Sequence, residues 1–153
     1  MPDTGASAPD FTLPRDGGGE ITLSSLRPAP VVLFFYPRDD TSGCTKEAIA
    51  FTTLKADFEA AGAQVLGISK DSIAAHDKFR DKHALDVPLL SDAEADVCAT
   101  YGVWKEKSMY GKKFLGIERS TFLIDGDGQI ARVWRKVKVP GHAEEVLDAV
   151  RAL

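Results

Sequence analysis

Residues 31–36, VVLFFY, are apolar on both alternating faces, the pattern of a strand buried in the middle of a sheet, and Pro37 ends it. A polar stretch, 38–43, follows. From 45 to 61 the apolar positions Ala48, Phe51, Leu54, Phe58 and Ala61 step by 3, 3, 4 and 3. That stripe predicts one helix, with Gly62 as its C′ residue. Residues 65–69, VLGIS, read as the next strand. A second helix follows, capped by Asp71 or Ser72, with Ile73 and Phe79 inward. Residues 87–90 are short and extended, and Asp92 opens a helix that ends at Tyr101 and Gly102.

Both ends of the chain carry clear patterns. Residues 11–13 and 20–23 flank the run RDGGG and predict a short hairpin. Residues 104–116 are basic and glycine-containing, which reads as an exposed loop or hairpin. Residues 120–125 and about 129–138 predict an antiparallel hairpin. Between them Asp125-Gly-Asp-Gly128 reads as a tight turn rather than a calcium loop, whose further ligands are missing. A final amphipathic helix places Val146, Leu147, Val150 and Leu153 inward. The order is hairpin, strand, helix, strand, helix, short strand, helix, hairpin, helix. It predicts an α/β fold, a central mixed sheet flanked by helices, compatible with a thioredoxin-like fold carrying an N-terminal hairpin extension.

Composition narrows the function classes. With 153 residues the chain fits one domain, 1–153, large enough to hold a core without disulfides or metal. A net charge of −4 argues against generic nucleic-acid binding. The longest apolar run is six residues, far short of the roughly 20 needed to span a membrane. The first residues, MPDTGASAPDF, lack the basic start and apolar stretch of a signal peptide. There is no asparagine, so no N-glycosylation site. Two cysteines are too few for a disulfide scaffold. The expectation is a cytoplasmic protein with reduced thiols.

Cys44 is the informative residue. It follows a buried strand and a polar loop and stands at the start of a helix. There it faces unpaired N–H groups and the positive end of the helix dipole, which favour thiolate over thiol. A free thiol is only a few per cent ionised at neutral pH, and a helix terminus contributes roughly 0.3–2 kcal/mol. Asp39 and Asp40 oppose ionisation if they lie close, so a resident cation is expected. On residue type alone, a buried inert thiol and a reactive one stay equally open.

The motif Pro37-x-x-x-Thr41-x-x-Cys44 resembles the active-site motif of peroxiredoxins. The longer string FFYPRDDTSGCTKEA is similar to the bacterioferritin-comigratory-protein, or PrxQ, group. Similarity extends to the segments SAPDFTL (7–13), LSD (90–92), YGVW (101–104) and GIERSTFLID (116–125), and so over almost the whole chain. The resemblance implies a thiol-dependent peroxidase, reducing hydrogen peroxide and organic hydroperoxides. In it Cys44 is the peroxidatic nucleophile, Thr41 bonds the peroxide and Pro37 shields the sulfur. Arg119 supplies the cation, Glu47 orients it, and N–H groups around Gly43 and Cys44 polarise the O–O bond. No cofactor or metal is implied.

The chain departs from its relatives at the resolving cysteine. Many carry one five residues after the nucleophile, where Ile49 stands here; others carry it in the next helix, where Phe79, Arg80 and Asp81 stand. Cys98 remains, as a structural thiol or a resolving partner, and its helical stripe with Tyr101 suggests burial. A one-cysteine mechanism is expected, with thioredoxin, glutaredoxin or a small thiol as reductant, in a monomer or weak dimer. The alternative is a redox sensor or holdase chaperone using the same cysteine. A disulfide oxidoreductase is excluded because Glu47 stands where C-x-x-C needs its second cysteine, and a cysteine phosphatase because Ala50 stands where it needs arginine. His76 and His83 share a helix but find no third ligand, so they read as an exposed face. Lys105, Lys107, Lys112 and Lys113 read as solvated charge or a dock for an acidic reductant.

Overall fold

The structure is a computed structural model that describes residues 2–153. A five-stranded mixed sheet forms its centre, in the order β5-β4-β3-β8-β9. The strands are β3 (Val31–Phe35), β4 (Gln64–Ser69), β5 (Leu89–Ser91), β8 (Ser120–Ile124) and β9 (Ile130–Trp134). β3 pairs in parallel with β4 and antiparallel with β8. Every residue of β3 is buried, as a central strand requires. β4 is glycine-thinned at Gly67, where a Cβ would lie 2.7 Å from the Phe34 ring.

Alternation along β3 divides the core into two layers. Val31, Leu33 and Phe35 face a cluster with Phe11, Leu13, Cys98, Tyr101, Val103 and Phe122. Val32, Phe34 and Tyr36 face the other, with Cys44, Phe51, Phe58, Phe79, Val146 and Leu147. The second layer is covered by α1 (Ser42–Thr53), α2 (Lys55–Ala60), α3 (Ile73–His83) and α5 (His142–Arg151). The first is covered by α4 (Val97–Thr100) and the N-terminal hairpin β1 (Thr12–Pro14) and β2 (Glu20–Thr22). A second hairpin, β6 (Trp104–Met109) and β7 (Lys112–Ile117), forms its own two-stranded ribbon. It turns through Tyr110 and Gly111, both at positive φ, as a two-residue hairpin turn demands.

Four expectations need correction. The helix expected over 45–61 begins three residues earlier and breaks at Leu54. Thr53 Oγ1 donates back to the Ile49 carbonyl at 2.9 Å, and threonines that bond backward bend helices. The helix expected from Asp92 to Tyr101 shrinks to Val97–Thr100. The buried Asp92 carboxylate instead accepts from the N–H groups of Val97 (3.0 Å) and Cys98 (2.8 Å), closing a non-helical turn before them. Leu153 is exposed beyond the end of α5, and Ile73 is only half-buried. Of the two caps expected for α3, Ser72 is the one used, its hydroxyl accepting from Ala75 N–H at 3.1 Å.

Candidate active site

β3 ends beside the neighbouring ends of β4 and β5, and the 37–41 segment carries the chain from there into α1. Thr41 is the N-cap residue of that helix, yet its side chain makes no capping bond. Its hydroxyl donates to the Arg38 carbonyl at 2.9 Å. The N–H groups of the first turn, Ser42 to Cys44, therefore keep no intrahelical acceptor and no side-chain cap. Cys44 is the third residue of α1 and only 1% exposed. Pro37 is half-buried and Thr41 exposed.

Arg119, between β7 and β8, reaches this turn from the far side. One guanidinium nitrogen donates to Cys44 Sγ at 3.3 Å and the other to Glu47 Oε1 at 2.7 Å. Gly43 permits the approach, since a Cβ there would lie 3.1 Å from the guanidinium. Glu47 lies one helical turn after Gly43 and is buried; burial raises its carboxyl to about 7 against the opposing pull of Arg119. Its second oxygen, Oε2, has no hydrogen-bond partner among the described residues. Burial works against the Arg119 guanidinium, but Glu47 and Cys44 hold it above its ordinary value. The structure thus brings Cys44, Gly43, Glu47 and Arg119 together, and places Thr41 one turn before the sulfur.

The acidic pair Asp39 and Asp40, expected to oppose the thiolate if close, is committed to hydrogen bonds elsewhere. Asp39 accepts from Tyr36 Oη–H at 2.7 Å and pairs with His76 at 2.6 Å, while Asp40 takes Lys82 and His83, each at 2.8 Å. His76 is therefore no exposed face: it is fully buried and its other ring nitrogen donates to the Leu90 carbonyl at 2.9 Å. Sequence reasoning missed it because a histidine on a polar helix gives no sign of a carboxylate arriving from a distant loop. Among the described residues Asp39, Asp71 and His76 are the group with three ligand atoms in mutual reach, but both ring nitrogens are already spent on hydrogen bonds.

Cys98 lies on the opposite layer from Cys44, with the sheet between them. Both cysteines are free. Burial and the neighbouring Asp92 push the Cys98 thiol far up, out of the range of a ready nucleophile. The basic cluster at 105–113 is the β6–β7 hairpin, with Lys107 turned in to donate to the Ile117 carbonyl.

The sequence model of the AhpC/TSA family matches residues 4–133. The chain is 48% identical over 143 residues to peroxiredoxin Bcp of Xanthomonas campestris, covering 94% of this chain and 89% of the relative. It is 43% identical over 149 residues to peroxiredoxin Bcp of Bacillus subtilis, covering 97% and 95%. The bacterioferritin comigratory protein of Xanthomonas campestris, solved as trapped intermediate and ligand complexes bearing on its alkyl peroxide reduction activity, superposes with a TM-score of 0.91 at 45% identity and 98% coverage of both chains. No helix among the described residues is long and apolar enough to cross a membrane. Matched along its length in both sequence and fold, the chain belongs to the AhpC/TSA family and is a thiol peroxidase of its Bcp/PrxQ peroxiredoxins.

Proposed function

We propose that Cys44 is the peroxidatic nucleophile and that the enzyme works by a one-cysteine route on hydrogen peroxide and organic hydroperoxides. The observation that carries this is the Arg119 fork, which bonds Cys44 Sγ with one arm and Glu47 with the other at the uncapped first turn of α1. A cation on the sulfur supplies what the helix terminus alone lacks.

In the reaction the thiolate attacks one peroxide oxygen. An S–O bond forms, the O–O bond breaks, sulfur is oxidised to sulfenate, and the departing oxygen takes a proton and leaves as water or an alcohol. The free N–H groups of the first turn and Arg119 stand where negative charge develops, as preorganised donors. Thr41 has its hydroxyl proton on Arg38, so its oxygen retains lone pairs to accept the peroxide O–H. Pro37 closes the loop side of the site. An external thiol then attacks the sulfenate sulfur, releasing water and forming a mixed disulfide, and a second thiol attacks the external sulfur of that bond, forming the external disulfide and releasing Cys44 as thiolate. Thioredoxin, glutaredoxin or a small thiol could each fill this role, in a cytoplasmic enzyme acting as a monomer or weak dimer. The separation of the cysteines by the sheet supports the external route, because a disulfide needs Cα atoms within about 7 Å.

Steady-state peroxide consumption with dithiothreitol tests the assignment. Cys44→Ser is expected to abolish turnover and Cys98→Ser to retain it. Mass spectrometry after one equivalent of peroxide should find a trapped sulfenate on Cys44. A Cys44–Cys98 disulfide in the wild type, with turnover lost in Cys98→Ser, would overturn the one-cysteine route.

A further inference from the structure

The 37–41 segment is gripped from α3 by groups that the chemistry at Cys44 does not use. Asp39 carries most of the hold. Its Oδ1 accepts from Tyr36 at the end of β3, its Oδ2 pairs with His76 on α3, and its own N–H donates to Asp71 Oδ2 at 2.8 Å. Asp71 is fixed in turn by the Ser69 hydroxyl at 2.6 Å. One residue on, Asp40 sits at a φ of 61°, a conformation that a non-glycine residue keeps only when its surroundings impose it. Lys82 and His83 bind its two oxygens. A cleft of about 350 Å³ opens beside the segment, lined by Arg38, Asp40, Ala75, Lys78, Phe79 and Lys82 among others, so these polar contacts span a gap in the packing. The next residue in the chain is Thr41, and the helix bearing Cys44 starts after it.

The His76 ring has acceptors on both sides, the Asp39 carboxylate and the Leu90 carbonyl. Only the imidazolium can donate to both. A neutral ring that keeps its proton toward Asp39 turns a lone pair on the Leu90 carbonyl, and the reverse tautomer sets a lone pair against a carboxylate. The groups facing the ring are Asp39 from the loop, Asp71 from beyond β4, Tyr36 from just after β3 and the Leu90 carbonyl from β5. Burial opposes the charged ring, but the bond and charge of Asp39 outweigh it and raise the imidazole above its ordinary value.

We propose that His76 and Asp39 are positioning residues for the peroxidase reaction: their buried pair locks the 37–41 segment to α3 and β5 and so holds Thr41 and Cys44 in the geometry that meets peroxide. The lock holds while His76 is protonated and weakens as pH rises through its titration. This inference rests on Cys44 being the nucleophile.

Stopped-flow oxidation of the full-length protein by hydrogen peroxide, from about pH 6 to 9, tests it. His76→Gln and Asp39→Asn keep shape and remove the charge pair, and circular dichroism establishes that each folds. Each variant is expected to react about 10-fold or more slowly than wild type at the acidic end, the scale of a small misplacement of reacting groups. The deficit should narrow toward the alkaline end, where wild type also loses the imidazolium. A deficit equal at every pH would reduce the pair to a structural role and overturn the proposal, and so would rates equal to wild type. Cys44→Ser is measured alongside: if it consumes peroxide as wild type does, the nucleophile assignment falls and this inference with it. If Cys44 is required but both variants match wild type, the inference alone falls.

Discussion

A guanidinium that donates to a sulfur and to a carboxylate at once does more than a point charge can. Glu47 fixes the plane of the Arg119 fork, and the fork's other arm is thereby aimed at Cys44 Sγ. Arg119→Ala should therefore lower the second-order rate of Cys44 with peroxide by about 10- to 150-fold, the equivalent of roughly 1.5–3 kcal/mol for a hydrogen bond involving charge. Arg119→Lys should recover only part, because one ammonium on a flexible stem cannot hold both partners. Stopped-flow rates settle the matter, and a lysine variant as fast as wild type would show that charge alone suffices. The need for a cation at Cys44 is legible from helix position and the charge shortfall, whereas its identity as Arg119 comes only from the family resemblance of the GIERS segment, because by residue type alone Arg119 reads as an ordinary strand-end charge. The direction of Asp39 and Asp40 is not legible. Chain proximity put two carboxylates near the thiolate, and only the arrival of His76, Lys82 and His83 from α3 turns them away.

At the scale of elements, α5 presents a second buried imidazole. His142 opens that helix, packs edge-on against Phe51 and Trp134, and shares a hydrogen bond with Thr121 of β8 at 2.8 Å. Burial depresses it from 6.5 to about 4. Its folded form is neutral, so the stability it confers is complete above pH 6.5 and is lost as pH falls toward 4. Unfolding free energy should fall by on the order of 1–3 kcal/mol across that window. Denaturant titrations at a series of pH values check this, with His142→Gln expected to show a flatter acid limb. Glu47 works in the opposite sense: raised from 4.5 to about 7, it favours folding below 4.5 and loses that contribution as pH rises through 7. Unchanged acid sensitivity in His142→Gln would mean that other groups govern the limb. Strands were the most readable elements, because VVLFFY, VLGIS and STFLID have only one way to bury such runs. Helix limits were less so. The start of α1 lies in the polar segment TSGCT, where no apolar stripe marks it, and the turn before α4 is closed by Asp92 from five and six residues away, which no periodicity shows.

For the whole molecule, the sheet is both scaffold and partition. β3 presents alternate side chains to two cores, and the two thiols belong to different ones. The mixed sheet and its flanking helices follow from the order of the elements, whereas this partition depends on which face each helix covers, a property of connection handedness and packing that residue patterns along one strand leave open. On the proposed one-cysteine route the Cys44 sulfenate has two fates: an incoming thiol restores it, or a second peroxide carries it to sulfinic acid, from which simple thiols do not recover it. Each cycle then carries a risk of permanent retirement, and the mean number of turnovers completed first equals the rate of thiol rescue divided by the rate of over-oxidation. The enzyme's working life becomes a number of turnovers rather than a span of time. Doubling peroxide at constant thiol should halve the mean turnovers completed before inactivation, and doubling thiol should restore them. Counting product formed per molecule until activity stops measures this directly, and a lifetime independent of the thiol-to-peroxide ratio would mean that something within the protein closes off the sulfenate first.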